Sequence, residues 1–106
     1  MQVGFKSNHW NDKDNNPAGG CSFGNGFAIS WQNGPLGRDA ERKEPNGAFV
    51  EDVIKVATDR LEYYQNSKFN STYNAEAINY LNLALKALNQ RTIDREKRQV
   101  EGTHNN

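Results

Sequence analysis

The sequence predicts an α+β fold: a small N-terminal antiparallel β part followed by a C-terminal two-helix hairpin, completed by oligomerisation. Three observations predict it. Residues 1–47 hold eight of the nine glycines and all three prolines, with little helical periodicity. Within them Phe27, Ile29 and Trp31 alternate with Ala28, Ser30 and Gln32, the period of a strand with one buried face. Beyond them Ile78, Leu81, Leu85 and Leu88 recur at the spacing of a helix with one apolar stripe.

In chain order, Val3 to Trp10 reads as a first strand and Asn11 to Asn25 as a polar glycine-rich loop, with Gly24-Asn25-Gly26 a turn. The strand Phe27–Trp31 ends at Asn33-Gly34-Pro35, where Asn-Gly tolerates positive φ and proline cannot extend a ladder. Two strands do not make a stable sheet alone, so this half is expected to pair with another copy of itself. The first helix is expected to start at Asn46 or Gly47, with Glu51 and Asp52 at its positive end. Its stripe is Val50, Val53, Ile54, Ala57, Leu61 and Tyr64, ending near Gln65-Asn66-Ser67. Phe69 and Tyr73 fall in the connection. Asn74 is a natural N-cap for a second helix running from Ala75 to about Arg98, and Gly102 closes the ordered chain. One domain over residues 1–106 results, with a glycine-rich β part at 1–47 and a helical hairpin at 48–100.

Composition narrows the function. The chain has 106 residues, 35% hydrophobic, and a mean hydropathy of −0.96, which supports only a modest core. Zero formal charge argues against a general nucleic-acid or membrane-surface binder. A lone Cys21 allows no internal disulfide and no cysteine-based metal cage. Without a signal peptide or long apolar run, an intracellular protein is expected.

A catalytic centre is hard to assemble. His9 and His104 have no sequence-local partner, no nucleophile motif surrounds Cys21, and no metal-ligand spacing is visible. The sequence therefore predicts a binding protein that is not an enzyme and carries no cofactor. Its most informative stretch is Arg91-Thr92-Ile93-Asp94-Arg95-Glu96-Lys97-Arg98. At 100° per residue Arg95 projects within roughly 20° of the Leu88 direction, Arg91 within about 60° and Arg98 about 80° away. The apolar stripe thus gives way to planar, permanently charged forks suited to phosphate. The plain alternative is a helix end running into water, with basic residues favoured by the dipole.

Tyr63, Tyr64, Phe69 and Tyr73 cluster at the hairpin tip, and rings near guanidinium forks are what nucleobases and phosphates need together. Tyr64 and Trp31 serve equally well as packing residues. Asn74 and Arg91 are about 25 Å apart along one helix, so tip and arginines do not meet within one subunit. Two hairpins packed antiparallel would bring them together in two equivalent pockets per dimer.

The runs Ser30-Trp31-Gln32-Asn33-Gly34-Pro35-Leu36-Gly37, Asn46-Gly47-Ala48-Phe49-Val50-Glu51 and Arg60-Leu61-Glu62-Tyr63-Tyr64-Gln65 resemble a group of small phage proteins. So does the ending Arg91 to Arg98 with Val100-Glu101-Gly102-Thr103-His104. The group is the first type of Thoeris anti-defence protein, and the resemblance covers residues 26–104. It implies sequestration, without hydrolysis, of the glycocyclic ADP-ribose signal of bacterial TIR enzymes, in the cytoplasm of the infected host. It further implies a β-containing N-terminal part, a C-terminal hairpin, and a homo-dimer that can assemble further into a hexamer, with pockets shared between subunits. The family's ligand contacts are an aromatic, an asparagine at the hairpin turn and two arginines four apart. The matching positions here are Tyr64, Asn74, Arg91 and Arg95, where the family aromatic can be phenylalanine.

In that reading Arg91 and Arg95 would clamp a pyrophosphate, Tyr64 would stack on adenine, Asn74 would bond a ribose or base edge and Trp31 could close the pocket; Arg98, on the same side of the helix, is a further candidate contact. Some members also hold cyclic di- or trinucleotides of CBASS defence at a separate site. Neither membrane nor DNA is an expected partner. Three other classes compete, the least supported being a phosphodiesterase-like enzyme, which would return released ligand altered. A nucleic-acid-binding hairpin would place Arg91, Arg95, Lys97 and Arg98 on phosphates, against zero net charge. A structural assembly protein would pair the arginines with Glu51, Asp52, Asp59 or Glu62 across an interface.

Overall fold

A computed structural model describes residues 4–34, 36–37 and 43–97. They fall into two compact units: a sheet unit that ends at Phe49, and a helical unit, Val50–Lys97. The architecture is α+β, with three antiparallel strands followed by two helices. Val3, Pro35, Arg98, Gly102 and His104, on which sequence-based expectations fall, lie outside the described residues.

The strands are β1, Lys6–Asn11, β2, Pro17–Gly24, and β3, Phe27–Trp31, in the order β1-β2-β3. The alternation of Phe27, Ile29 and Trp31 thus marks a real strand. The central strand corrects the loop expected over Asn11 to Asn25, and it completes a sheet within one chain. Small residues hid it. Gly19 and Gly20 are buried, and a Cβ at Gly19 would stand 2.9 Å from the Trp10 indole nitrogen. At Gly20 it would collide with the Asn8 carbonyl oxygen. Glycine is what lets β2 lie under Trp10 and against β1, a close approach that propensity reads as a break.

Both connections are turn chemistry. Asp12 accepts bonds from the backbone N–H groups of Asp14 (2.9 Å) and Asn16 (3.0 Å), while Asn15 adopts φ 63°. The Asn25-Gly26 turn joins Gly24 to its cross-strand partner Phe27, with Gly26 at φ 89°. Across the sheet, Ser22 stands between Ser7 (Oγ to Oγ 2.7 Å) and the Trp31 indole N–H, which donates to Ser22 Oγ at 2.9 Å. This satisfies the one buried polar side chain of the strands.

The first helix starts later than expected. Asn46 and Gly47 belong to the sheet unit instead: Asn46 Oδ1 accepts from the Asn33 N–H (2.8 Å), and its Nδ2 donates to the Asn33 carbonyl (3.1 Å). Ala48 then bridges Trp31 in parallel fashion, with Ala48 N donating to Ser30 O (2.7 Å) and Gln32 N to Ala48 O (2.9 Å). These bonds outcompete a cap and delay the helix.

The helices are α1, Val50–Gln65, and α2, Thr72–Lys97, packed as a hairpin. On α1 the half-buried or buried positions include Glu51, Ile54, Thr58, Leu61 and Gln65, a 3-4 repeat. Tyr64 and Val53 flank it, but Val50 and Ala57 are exposed, contrary to the predicted stripe. The seam is centred on Thr58, whose hydroxyl donates to the Ile54 carbonyl at 2.8 Å and is buried without a loss. On α2 the seam is Asn74, Ile78, Leu81, Leu85, Leu88, Thr92 and Arg95, all half-buried, and Ser71 just before the helix is half-buried too. Among the described residues Leu36 is the single buried hydrophobic side chain, while Val56, Tyr63, Tyr73, Tyr80 and Leu83 stand exposed.

Candidate ligand-binding site

The hairpin gathers the predicted ligand residues into two groups at opposite ends. At the tip, Tyr64 is half-buried in the last turn of α1, and Asn74 is half-buried in the first turn of α2. The connecting turn holds them by dense local bonding. Ser67 Oγ donates to the Tyr64 carbonyl (2.6 Å) and accepts from the Phe69 N–H (3.1 Å), and Gln65 Oε1 accepts from the Ser71 N–H (2.8 Å).

Ser71, not Asn74, caps α2: its Oγ accepts from the Asn74 N–H at 3.0 Å. The cap was misplaced because serine and asparagine are equally good caps and three residues separate them. Asn74 thereby escapes a conflict, since its side chain is not needed to close the helix. Its Nδ2 donates to the Phe69 carbonyl at 3.1 Å, which aims the amide across the turn. Ser71→Ala is expected to lower stability by about 1 kcal/mol, read as a fall in melting temperature, and to loosen Asn74 as well.

Arg60 went unnoticed in the sequence. Its guanidinium carbon stands 4.9 Å from the Tyr63 ring centroid and 5.0 Å from that of Tyr64, and its Nε donates to the Tyr64 hydroxyl at 3.2 Å. The signal was there in the 60/63/64 spacing, which puts one cation beside two rings on a helix surface. Lys68 makes a similar contact with the exposed Phe69 ring, at 5.4 Å.

At the other end, Arg91 and Arg95 lie one turn apart on α2, as their spacing predicts. Arg95 continues the seam, is half-buried, and has its Nε enclosed. Arg91 sits beside the seam with its side chain 56% exposed, and its Nη2 reaches Glu51 Oε2 at 3.6 Å. That pair is long and largely solvated, so it contributes about 0–1 kcal/mol and leaves most of the Arg91 fork's donors available. The two ends are about 25 Å apart along α2, as the sequence requires, so one hairpin does not unite them.

Trp31 belongs to the sheet unit, half-buried with its indole N–H engaged by Ser22. His9 is exposed on β1, and Cys21 is a free, half-buried thiol on β2 with Asn8 Nδ2 at 3.9 Å. Among the described residues no cluster of three His, Cys, Asp or Glu could hold a metal ion, and no helix is long and apolar enough to cross a membrane.

Comparison with known proteins converges on one family. Residues 25–92 match the model of the Acb2/Tad1 hairpin domain. The chain is also 46% identical over 76 residues to Thoeris anti-defense 1 of Bacillus phage SBSphiJ7, an alignment covering 72% of this chain and 51% of that protein. The chain thus spans about half the length of this curated relative. The matched region of the family includes α1, the turn and α2 through Thr92, and so contains Tyr64, Asn74 and Arg91.

Proposed function

The chain belongs to the Acb2/Tad1 hairpin family, the Thoeris anti-defence group its sequence resembles, and from that premise we propose that it is a phage sponge. It sequesters a cyclic nucleotide immune signal, glycocyclic ADP-ribose, in the host cytoplasm and releases it chemically unchanged. The observation that carries this reading is the division of the hairpin into an aromatic-amide tip and a two-arginine end. Each end is half of a site for a molecule with a base and a pyrophosphate. Two hairpins packed antiparallel make both halves meet twice. The exposed Val56, Tyr73, Tyr80 and Leu83 supply apolar surface for such association, which one chain leaves unburied. Arg91 and Arg95 clamp the pyrophosphate, Tyr64 stacks on the adenine, and Asn74 presents its Oδ1 to a ribose or base edge. A pocket closed between subunits favours slow release, as a sponge requires.

A mixing experiment with a heat-release step tests this. Glycocyclic ADP-ribose incubated with excess protein is expected to disappear from solution and to return intact when the protein is denatured. Ligand that comes back altered would establish an enzyme, and ligand that never disappears would sink this ligand assignment. Cyclic di- and trinucleotides, the signals of CBASS defence, run in the same assay, would then show whether a different cyclic nucleotide is held.

One observation favours a second reading. The Arg91–Glu51 contact joins the start of α1 to the end of α2, as a purely structural role for the arginine would require. Under that reading no nucleotide raises the melting temperature, and removing Arg91 weakens the assembly.

A further inference from the structure

Arg60 stands four residues before Tyr64 and three before Tyr63, so the three side chains share one face of α1. The two rings are tilted at 55° with centroids 5.9 Å apart, and the guanidinium lies against both at nearly equal distance. Two ring contacts and one hydrogen bond, all at the surface, favour this rotamer of the fork. The bond to the phenol also favours the charged form, raising Arg60 above its ordinary pKa. Tyr64 as a residue is half-buried, and its backbone carbonyl is held by the Ser67 hydroxyl of the turn that follows.

A phenol has one proton and two acceptor lone pairs. When Arg60 Nε–H occupies a lone pair, the hydroxyl proton points away from the guanidinium, because Arg60 has no acceptor to offer. We propose that Arg60 is a positioning residue that sets the Tyr64 hydroxyl as a hydrogen-bond donor to the bound nucleotide. The inference rests on the sequestration reading above and deepens it. Tyr64 then does more than stack. It selects ligands that place an acceptor at the ring's rim, such as a purine ring nitrogen, a ribose oxygen or a phosphate oxygen. Phenylalanine at this position would stack equally well but would not discriminate in this way. The role of Arg60 follows from having a tyrosine here.

The test is a double-mutant cycle on the full chain, with affinity for glycocyclic ADP-ribose measured for the wild type, Arg60→Ala, Tyr64→Phe and the double variant. Each single variant is expected to bind about 5-fold more weakly, with the double variant no weaker than Tyr64→Phe. Melting temperatures are expected to stay within a degree or two of the wild type, since the Arg60 contacts lie on the surface. Losses that multiply in the double variant would overturn the proposal, because Arg60 would then act on the ligand independently of the hydroxyl. Arg60→Ala binding like the wild type would overturn it also, while leaving sequestration intact. A wild type that takes up no ligand would remove the ligand assignment and this role together.

Discussion

Arg91→Ala is expected to weaken glycocyclic ADP-ribose binding by about 100-fold, while the melting temperature and oligomeric state stay close to those of the wild type. The magnitudes separate the two readings of this residue. A charge-assisted contact to a pyrophosphate in an enclosed site contributes about 1.5–3 kcal/mol, whereas a solvated ion pair contributes about 0–1 kcal/mol. The Arg91–Glu51 contact is of the second kind, at 3.6 Å with the arginine side chain 56% exposed. Removing the arginine should therefore cost little folding energy and most of the binding energy. Glu51→Gln is the control. It breaks the same ion pair but leaves the fork in place, so binding should be kept or slightly improved. Calorimetric titration, thermal melting and light scattering on the three proteins decide the matter. Should Arg91→Ala lose its assembly together with its binding, and Glu51→Gln do the same, the arginine is a structural strut and the sponge reading fails at this residue. Arg95→Ala is a less clean probe. That side chain continues the helical seam, so its removal disturbs packing as well as charge.

The helical half was legible because its signal is periodic and long. Ile78, Leu81, Leu85 and Leu88 form the α2 seam as read, and the angular argument placed Arg95 on that seam and Arg91 beside it. The first helix was read less well. Val50 and Ala57 are apolar but exposed, whereas Glu51, Thr58 and Gln65 take seam positions. A threonine whose hydroxyl bonds the preceding turn, and a glutamine whose amide reaches the Ser71 N–H, carry their own partners inward, which hydrophobicity does not register. The sheet was half-legible for a related reason. Strand β3 has large alternating side chains, but β2 has Phe23, which is exposed, as its one large side chain beside Pro17, Ala18, two buried glycines, Cys21, Ser22 and Gly24, and its fit depends on what lies above it.

At the candidate site, helical spacing pointed to Arg91 and Arg95 and the aromatic cluster to Tyr64, the resemblance added a ligand role for Asn74, and spacing divided the four between two ends. Spacing did not show how each is held. The Ser71 cap, the Asn74 amide bond to Phe69 and the clasp of Arg60 on two rings depend on side-chain geometry. These local contacts matter because a stacking ring and an aimed amide bind tightly only when they are already in place before the ligand arrives.

Gly20→Ala is expected to destabilise the sheet unit by about 3 kcal/mol or more, and Gly19→Ala by clearly less, although both glycines are buried in adjacent positions of β2. The difference lies in what a methyl group would meet. At Gly19 the neighbour is the edge of the Trp10 indole, a side chain on an exposed strand that can swing outward. At Gly20 it is the Asn8 carbonyl oxygen, part of the β1 backbone, and moving it breaks the His9–Gly20 register of the ladder. A side chain relaxes by changing rotamer, whereas a paired strand relaxes only by giving up hydrogen bonds. Both tryptophans of the chain, Trp10 and Trp31, lie in the sheet, so their fluorescence during urea unfolding reports on this unit. A lower midpoint for Gly20→Ala than for Gly19→Ala would place β2 against β1 in this register. Equal midpoints, or a wild-type midpoint for Gly20→Ala, would mean that the Asn8 carbonyl does not lie over Gly20. The strand that the sequence conceals would then be paired differently.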